Sequence, residues 1–387
     1  MDFSVVEIDA TTEKLAKTLG ELLLGTVGEV TPWPLGGERF PEELRQQLGA
    51  HGYLAPRWPA EEGGLGAGAL LDRIIADEFA CRQLFMGRMN AMVSLAVRKY
   101  GSEEIRDGVI RGVAAGQVKL CLGYSEPDGG SDIAAAKTRA VRDGDEWIIN
   151  GAKVFTSTAE IADYVFLITN TNPSAPKHRN LTMFLVPLDL AGIDIQPLIT
   201  FGGDRTNITY YSDVRIPDKY RLGDVDAGWR VLNDPLTVEH EGASSQEHLE
   251  DVHGQGLSST NSWAVLLGRS LRWATTRDEN GTAPFDDPVV AAEIAESFVG
   301  YTMACNTPAA MGKVASANGF IKSAERLLRA AGPGGLVLSG AGRVEDGVFG
   351  WAYRRAQVPA IAGGTVEVFK NMLATGALGL PRPLPKS

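Results

Sequence analysis

The chain reads as an α+β fold in which a helical segment, a block of strands and a second helical segment follow one another. Three observations carry that reading. Apolar residues recur with a helical period up to about residue 117, the texture changes to alternating β-branched and aromatic runs between Val118 and about Asp218, and the helical period returns after Gly228. The expected domains are residues 1–117, N-terminal and helical; 118–228, a small β-barrel or sandwich; and 229–387, helical again.

In the first segment, Leu15, Leu19, Leu22 and Leu23 share one helix face, and a second periodic run extends from Leu70 to Tyr100. Between them, the glycine-rich stretch from Trp58 to Gly68 has neither a preceding strand nor a Gly-Lys-Ser/Thr ending, so it reads as a connection rather than a nucleotide loop. The middle block holds six strand-like runs: KLCLGYS, EWIINGAKVFTS, YVFLIT, TMFLVPL, DIQPLIT and ITYYSDVRIP. Asn150-Gly151 reads as a type I′ hairpin turn between two of them. The last segment reads as helices near 229–246, 258–277, 287–305, 308–331 and 365–378.

With 387 residues, 44% hydrophobic and 22% charged, the composition is that of a globular chain with substantial cores. A net charge of −11 argues against nucleic acid or an anionic membrane as partner. Cys81, Cys121 and Cys305 are scattered, as buried cysteines in a reducing compartment are. The N-terminus is charged from Asp2 and carries no signal-peptide pattern, and no apolar run reaches the roughly 18 residues of a membrane span, so a cytoplasmic protein is expected.

Two places could carry chemistry. The run Gly123-Tyr124-Ser125-Glu126-Pro127-Asp128-Gly129-Gly130-Ser131-Asp132 follows the alternating Val118, Leu120 and Leu122, so hydroxyls and free amides collect at a strand end where glycines let a ligand approach. At the other end of the chain, Gly363-Gly364-Thr365 opens a helix and leaves N–H groups free to donate to a ligand oxygen, although Thr365 also reads as a simple N-cap. His240, His248 and His253 stand among acidic residues, but their spacing matches no compact metal pattern, and no metal is expected. No G-x-S-x-G nucleophile elbow is present.

SEPDGGSD (125–132), EWIINGAKVFTSTAEIADY (146–164), DVDAGWRVLNDPLTVEH (224–240) and IAGGTVEVFKNMLATGALGLPR (361–382) resemble, in order and spacing, the signature regions of the acyl-CoA dehydrogenases. The resemblance covers nearly the whole chain. It implies that family's fold, with an N-terminal helical domain, a middle β domain and a C-terminal four-helix bundle, and it implies FAD as cofactor and an acyl-CoA thioester as substrate. The family removes the α-proton of the thioester and passes the β-hydrogen to the flavin N5 as hydride, giving a trans-2-enoyl-CoA.

Carried over residue by residue, the resemblance implies flavin contacts from Leu122, Tyr124, Ser125, Gly130, Ser131, Phe155, Ser157, Gly364, Thr365 and Glu367, and from Arg277 toward a neighbouring subunit's flavin. Phe155 stands where the family often has Trp. Ser131, His240 and Gly363 are implied substrate contacts. In much of the family the base precedes the C-terminal Gly-Thr, but that position here is Gly363, which has no side chain to abstract a proton. The resemblance to isovaleryl- and long-chain acyl-CoA dehydrogenases instead points to Glu239 in Leu236-Thr237-Val238-Glu239-His240 as the base.

Three departures accompany the match. His240 replaces an Arg, the stretch after it is lengthened and glycine-rich, and the neighbour-contacting motif keeps Arg277 but loses its Phe, while Ala331-Gly332-Pro333-Gly334-Gly335 is also diverged. The expected assembly is a homotetramer or a heterotetramer with a paralogous subunit, passing electrons to an electron-transfer flavoprotein or a similar acceptor. Two alternatives stay open: a non-catalytic partner subunit of such a heterotetramer, and a flavin oxidase or monooxygenase of the same fold. Gly363 and Phe155 suggest a cavity for branched or bulky acyl chains, steroid-derived ones included.

Overall fold

The computed structural model describes residues 8–27, 41–81, 89–233, 257–307, 309–338 and 340–381. The N-terminal helices are α1 (Ala10–Val27), α2 (Glu42–Ala50), α3 (Ala69–Cys81), α4 (Met89–Tyr100) and α5 (Glu103–Ala114). The periodic run expected from Leu70 to Tyr100 is helical in its described residues, which belong to α3 and α4. Leu19 and Leu23 pack with Leu44, Leu48, Leu71, Ile75 and Phe79 in one cluster, because their four-residue spacing within each helix places them on facing stripes. The glycine-rich stretch from Trp58 is a connection, tight enough that a Cβ on Gly64 would lie 2.1 Å from the Trp58 carbonyl oxygen.

Eight strands form one sheet: β1 (Leu120–Gly123), β2 (Arg139–Asp143), β3 (Glu146–Val154), β4 (Tyr164–Asn170), β5 (Leu181–Pro187), β6 (Ile193–Ile199), β7 (Arg205–Pro217) and β8 (Arg221–Leu222). The order is β6-β7-β3-β2-β4-β5-β8, with β1 pairing parallel to β4. Alternation in β4 and β5 sends Phe166, Ile168, Met183 and Leu185 to a core shared with α4 and α5. Val165, Leu167, Phe184 and Val186 turn the other way and meet Trp147, Ile149, Tyr211 and Val214. Trp147 on β3 lies edge-on to Phe184 on β5 with centroids 5.3 Å apart, although two strands separate them in the sheet. The sheet therefore curls over its own face, as a barrel-like layer does.

Two expectations fail in this layer. Asn150-Gly151 makes no turn but lies inside β3, where the pairing with β7 shifts between Ile149 and Gly151. Asn150 there exchanges bonds of 2.9 Å with Asp213, which has φ +49°, so the pair marks a β-bulge on β7. The actual two-residue turn is Gly144-Asp145, between Asp143 and Glu146. It serves β2, a strand absent from the six expected ones because its five residues, RAVRD, are mostly polar and exposed.

After a helical start at 228–233, the last segment holds α6 (Leu257–Thr275), α7 (Pro288–Cys305), α8 (Ala309–Leu336), α9 (Val348–Arg355), α10 (Val358–Ile361) and α11 (Val366–Met372). Trp263 of α6 joins them, donating to Ser297 Oγ of α7 at 3.1 Å and lying so close to α8 that a Cβ on Gly319 would come within 2.4 Å of its ring. α8 kinks at Gly332, φ +63°, next to Pro333, in the diverged glycine segment. Cys121 is buried as expected, but Cys305, at the end of α7, is exposed. No helix among the described residues is long and apolar enough to cross a membrane, and no cluster of metal-ligating side chains occurs among them.

The middle layer also buries an ion pair. Lys153, 0% exposed, reaches Glu126 at 2.7 Å. Burial pulls the Lys153 ammonium down to about 8 against the opposing field of Glu126. Burial would raise the Glu126 carboxyl, but Lys153 and the Thr138 and Lys137 amides outweigh it and hold the group below the usual range. Removing one partner strands the other, so Lys153→Met is expected to cost about 3 kcal/mol in urea unfolding. Because Glu126 titrates lower in the folded than in the unfolded chain, its stabilisation is complete above the ordinary value of 4.5 and is lost as pH falls through the lowered folded value. Acid unfolding of Glu126→Gln should lack that component.

Candidate functional site

The turn after β1 is pinned from inside by its carbonyl oxygens. Lys153 Nζ donates to the Tyr124 carbonyl at 3.3 Å and Val154 N–H to the Ser125 carbonyl at 2.9 Å. Glu126 and Gly129 exchange backbone bonds of 2.8 and 3.0 Å, and the Glu126 carboxylate accepts from the Lys137 and Thr138 amides at 2.7 and 2.8 Å. With the inner side so occupied, the Ser125 and Ser131 hydroxyls form no hydrogen bond with the described residues and stay available to a ligand. Gly130 leaves room beside them, since a Cβ there would stand 3.8 Å from Ser125 Oγ. Leu122 lies in β1, and the Tyr124 ring meets Phe166 edge-on at 5.9 Å.

Phe155 follows β3 with φ +58° and is 60% exposed. Such a conformation costs of order 1–3 kcal/mol and persists only when its surroundings impose it. Here they do: Thr156 N–H donates to the Asn207 carbonyl at 3.0 Å, Asn207 Nδ2 returns a bond to the Thr156 carbonyl at 2.9 Å, and Ser157 N–H closes on the Phe155 carbonyl at 2.8 Å. The clamp onto β7 turns an aromatic face outward. Ser157 Oγ, half-buried, lies 3.1 Å from Thr206 Oγ1.

β7 also carries this side of the sheet toward the C-terminal helices. Asp204, just before β7, pairs with Arg355, and the Phe201 carbonyl accepts from Arg354 at 3.4 Å. Beyond these arginines comes α10 and then the turn Ala362-Gly363-Gly364-Thr365. Gly363 and Gly364 have φ of +68° and +92°, a pair of left-handed conformations suited to glycine. Gly364 has a second reason to lack a side chain, because a Cβ would come within 2.9 Å of the Phe369 ring. Thr365 caps α11 by accepting from Val368 N–H at 3.2 Å, and Glu367 is exposed in its first turn. The Gly363 N–H has no acceptor among the described residues.

Arg277 follows α6 by two residues. It borders a cavity of about 660 Å³ with Trp273, Asp278 and Asp286, and pairs with Asp286 at 3.2 Å. Glu239 and His240 lie outside the described residues, as do His248 and His253. Sequence reasoning passed over Lys153 and Glu126, which support the first turn, and Lys313, whose Nζ donates to the Ala362 carbonyl at 2.8 Å. A signal existed for Lys153, a cation in a strand whose neighbours alternate inward and outward.

The chain matches the model of the acyl-CoA dehydrogenase N-terminal domain over residues 13–117 and that of the middle domain over residues 121–214. Acyl-CoA dehydrogenase FadE26 of Mycobacterium tuberculosis is 32% identical over 372 residues, covering 88% of each chain. Acyl-CoA dehydrogenase FadE29 of the same organism is 29% identical, covering 87% of this chain and 88% of its own. Among solved structures, the ChsE4-ChsE5 complex from Mycobacterium tuberculosis superposes with a TM-score of 0.83 at 28% identity, over 98% of this chain and 100% of that one. The Tcur3481-Tcur3483 steroid ACAD gives 0.82 at 28% identity, again over 98% and 100%. By sequence along most of its length and by fold, the chain belongs to the acyl-CoA dehydrogenase family of FAD-carrying oxidoreductases.

Proposed function

We propose that the protein dehydrogenates an acyl-CoA thioester between its α and β carbons to give the trans-2-enoyl-CoA. The observation that carries this reading is the turn at Gly363, whose N–H is without an acceptor among the described residues and whose position offers no carboxylate. A free backbone donor suits a thioester oxygen, which gains negative charge as the α-proton leaves. The proton then needs another base. Glu239 takes it in this reading, an assignment that rests on the sequence match at 236–240.

FAD, when bound, supplies the hydride acceptor. The described residues fit it. Ser125, Ser131 and the backbone of Leu122 and Tyr124 would hold its polar edge, Gly130 would admit close approach, and Phe155 would offer an apolar face with Ser157 beside it. Gly364, Thr365 and Glu367 would bound the cofactor from the C-terminal side, and Arg277 would reach toward a neighbour's flavin. Ser131, His240 and Gly363 would contact substrate. The substrate class favoured is a bulky or branched acyl chain, since Gly363 and Phe155 are both smaller than the residues that often occupy those positions.

Assembly into a tetramer, with copies of itself or with a paralogous chain, is supported by α7. That helix buries Val290, Ile294, Ser297 and Ala304 on one stripe, yet Val289, Ala292, Val299 and Met303 are exposed on the opposite one. The structurally similar ChsE4-ChsE5 protein is itself a complex of two chains by name. An electron-transfer flavoprotein or a similar protein is the proposed electron acceptor.

Two experiments test these assignments. Glu239→Gln should keep bound flavin and the folded state while acyl-CoA-dependent dye reduction falls at least about a hundredfold; near-normal turnover would remove Glu239 as base. For assembly, Val299→Asp combined with Met303→Asp should lower the mass measured by light scattering, and an unchanged mass would place the contact elsewhere.

A further inference from the structure

The peptide that joins Ala362 to Gly363 is held along one edge. Lys313, on α8, donates from Nζ to the Ala362 carbonyl oxygen at 2.8 Å, while the Gly363 N–H on the other edge of the same peptide has no acceptor among the described residues. A trans peptide is planar, and its C=O and N–H point in opposite directions. Wherever Lys313 draws the oxygen, the N–H must aim the other way.

That anchor matters because the turn has little else to hold this peptide. Ala362 is extended at φ −69° and ψ 143°, and two left-handed glycines follow it, so rotation of the intervening peptide meets little steric resistance. A flipped peptide would present a carbonyl oxygen where the donor had been. Phe369 helps fix the lysine: its ring centroid is 5.9 Å from Lys313 Nζ, and the same ring occupies the space beside Gly364. The cation also polarises the peptide through its oxygen, which makes the N–H a stronger donor.

We propose that Lys313 is a positioning residue of the dehydrogenation, setting the Ala362–Gly363 peptide so that the Gly363 N–H meets the thioester oxygen. The inference rests on the reading of Gly363 as that donor. Lys313 touches neither substrate nor flavin in this arrangement. Its effect falls on the step in which the thioester oxygen gains charge, and not on the affinity for the rest of the acyl-CoA.

The test compares wild type, Lys313→Met and Lys313→Arg as flavin-loaded protein. Steady-state dye reduction is measured with an acyl-CoA that bleaches the wild-type flavin, and the infrared carbonyl band of a bound enoyl-CoA labelled with ¹³C at the thioester carbon is recorded. The expected result for Lys313→Met is a kcat lower by about a hundredfold, the scale of a displaced catalytic contact, with KM little changed. Its carbonyl band should shift back toward the frequency of free thioester, and Lys313→Arg should recover part of both losses. A wild-type kcat and band in Lys313→Met would overturn the inference while leaving the dehydrogenase reading intact. A change in KM alone, with the band unmoved, would overturn it too, since Lys313 would then act in ligand binding. Should Lys313→Met fail to fold, Lys313→Gln, a shorter neutral donor, is judged by the same two readouts. If the wild type is bleached by no acyl-CoA, the underlying reading falls and this inference with it.

Discussion

The buried contact between Lys153 and Glu126 holds the middle of this molecule to the turn at 125–132. One ammonium reaches a carboxylate and the Tyr124 carbonyl together, and the carboxylate in turn collects two backbone amides from the segment leading into β2. A lysine inside a curled sheet is costly to desolvate, so it is tolerated only where every charge and lone pair finds a partner. The turn at 125–132 owes its shape to this arrangement: its carbonyls point inward to fixed donors, and its serine hydroxyls are left for something else to bind.

The same division of labour recurs at the far end of the chain. At both turns a lysine from another element binds a backbone carbonyl, and the unoccupied donors lie on the remaining side. Glycines do the local work of letting the backbone adopt the shape, and a distant cation decides which way the peptides face. The clamp of Thr156 against Asn207 holds the residues after β3 to β7, and the pairing of Asp204 with Arg355 joins the start of β7 to the C-terminal helices.

Much of this was legible in the sequence, and the parts that were not share a cause. The order of helices, strands and helices follows from periodicity, and the two turns follow from local clusters of Gly, Ser and Thr. Asn150-Gly151 misled because the preference of Asn-Gly for a turn is local, whereas the bulge opposite Asp213 is set by pairing with a strand about sixty positions away. Lys153 meets Glu126 across 27 positions and Lys313 meets Ala362 across 49, separations at which no periodic pattern links the partners. α7 is apolar on opposite faces, so its pattern tells that it is a helix but not which face lies inward.

Cys121 draws a practical consequence from the curl of the sheet. Its thiol lies fully within the core between β4 and the strands that fold over it, and burial, reinforced by the negative charge of Glu160, pushes its ionisation well above the ordinary range for cysteine. Thiolate is the reactive form, so in the native protein this sulfur is both unreachable and chemically silent. Cys305, at the end of α7, lies exposed on the surface. Cys121 is therefore a built-in reporter of breathing in the β layer: alkylation there records the moments when the curled sheet parts.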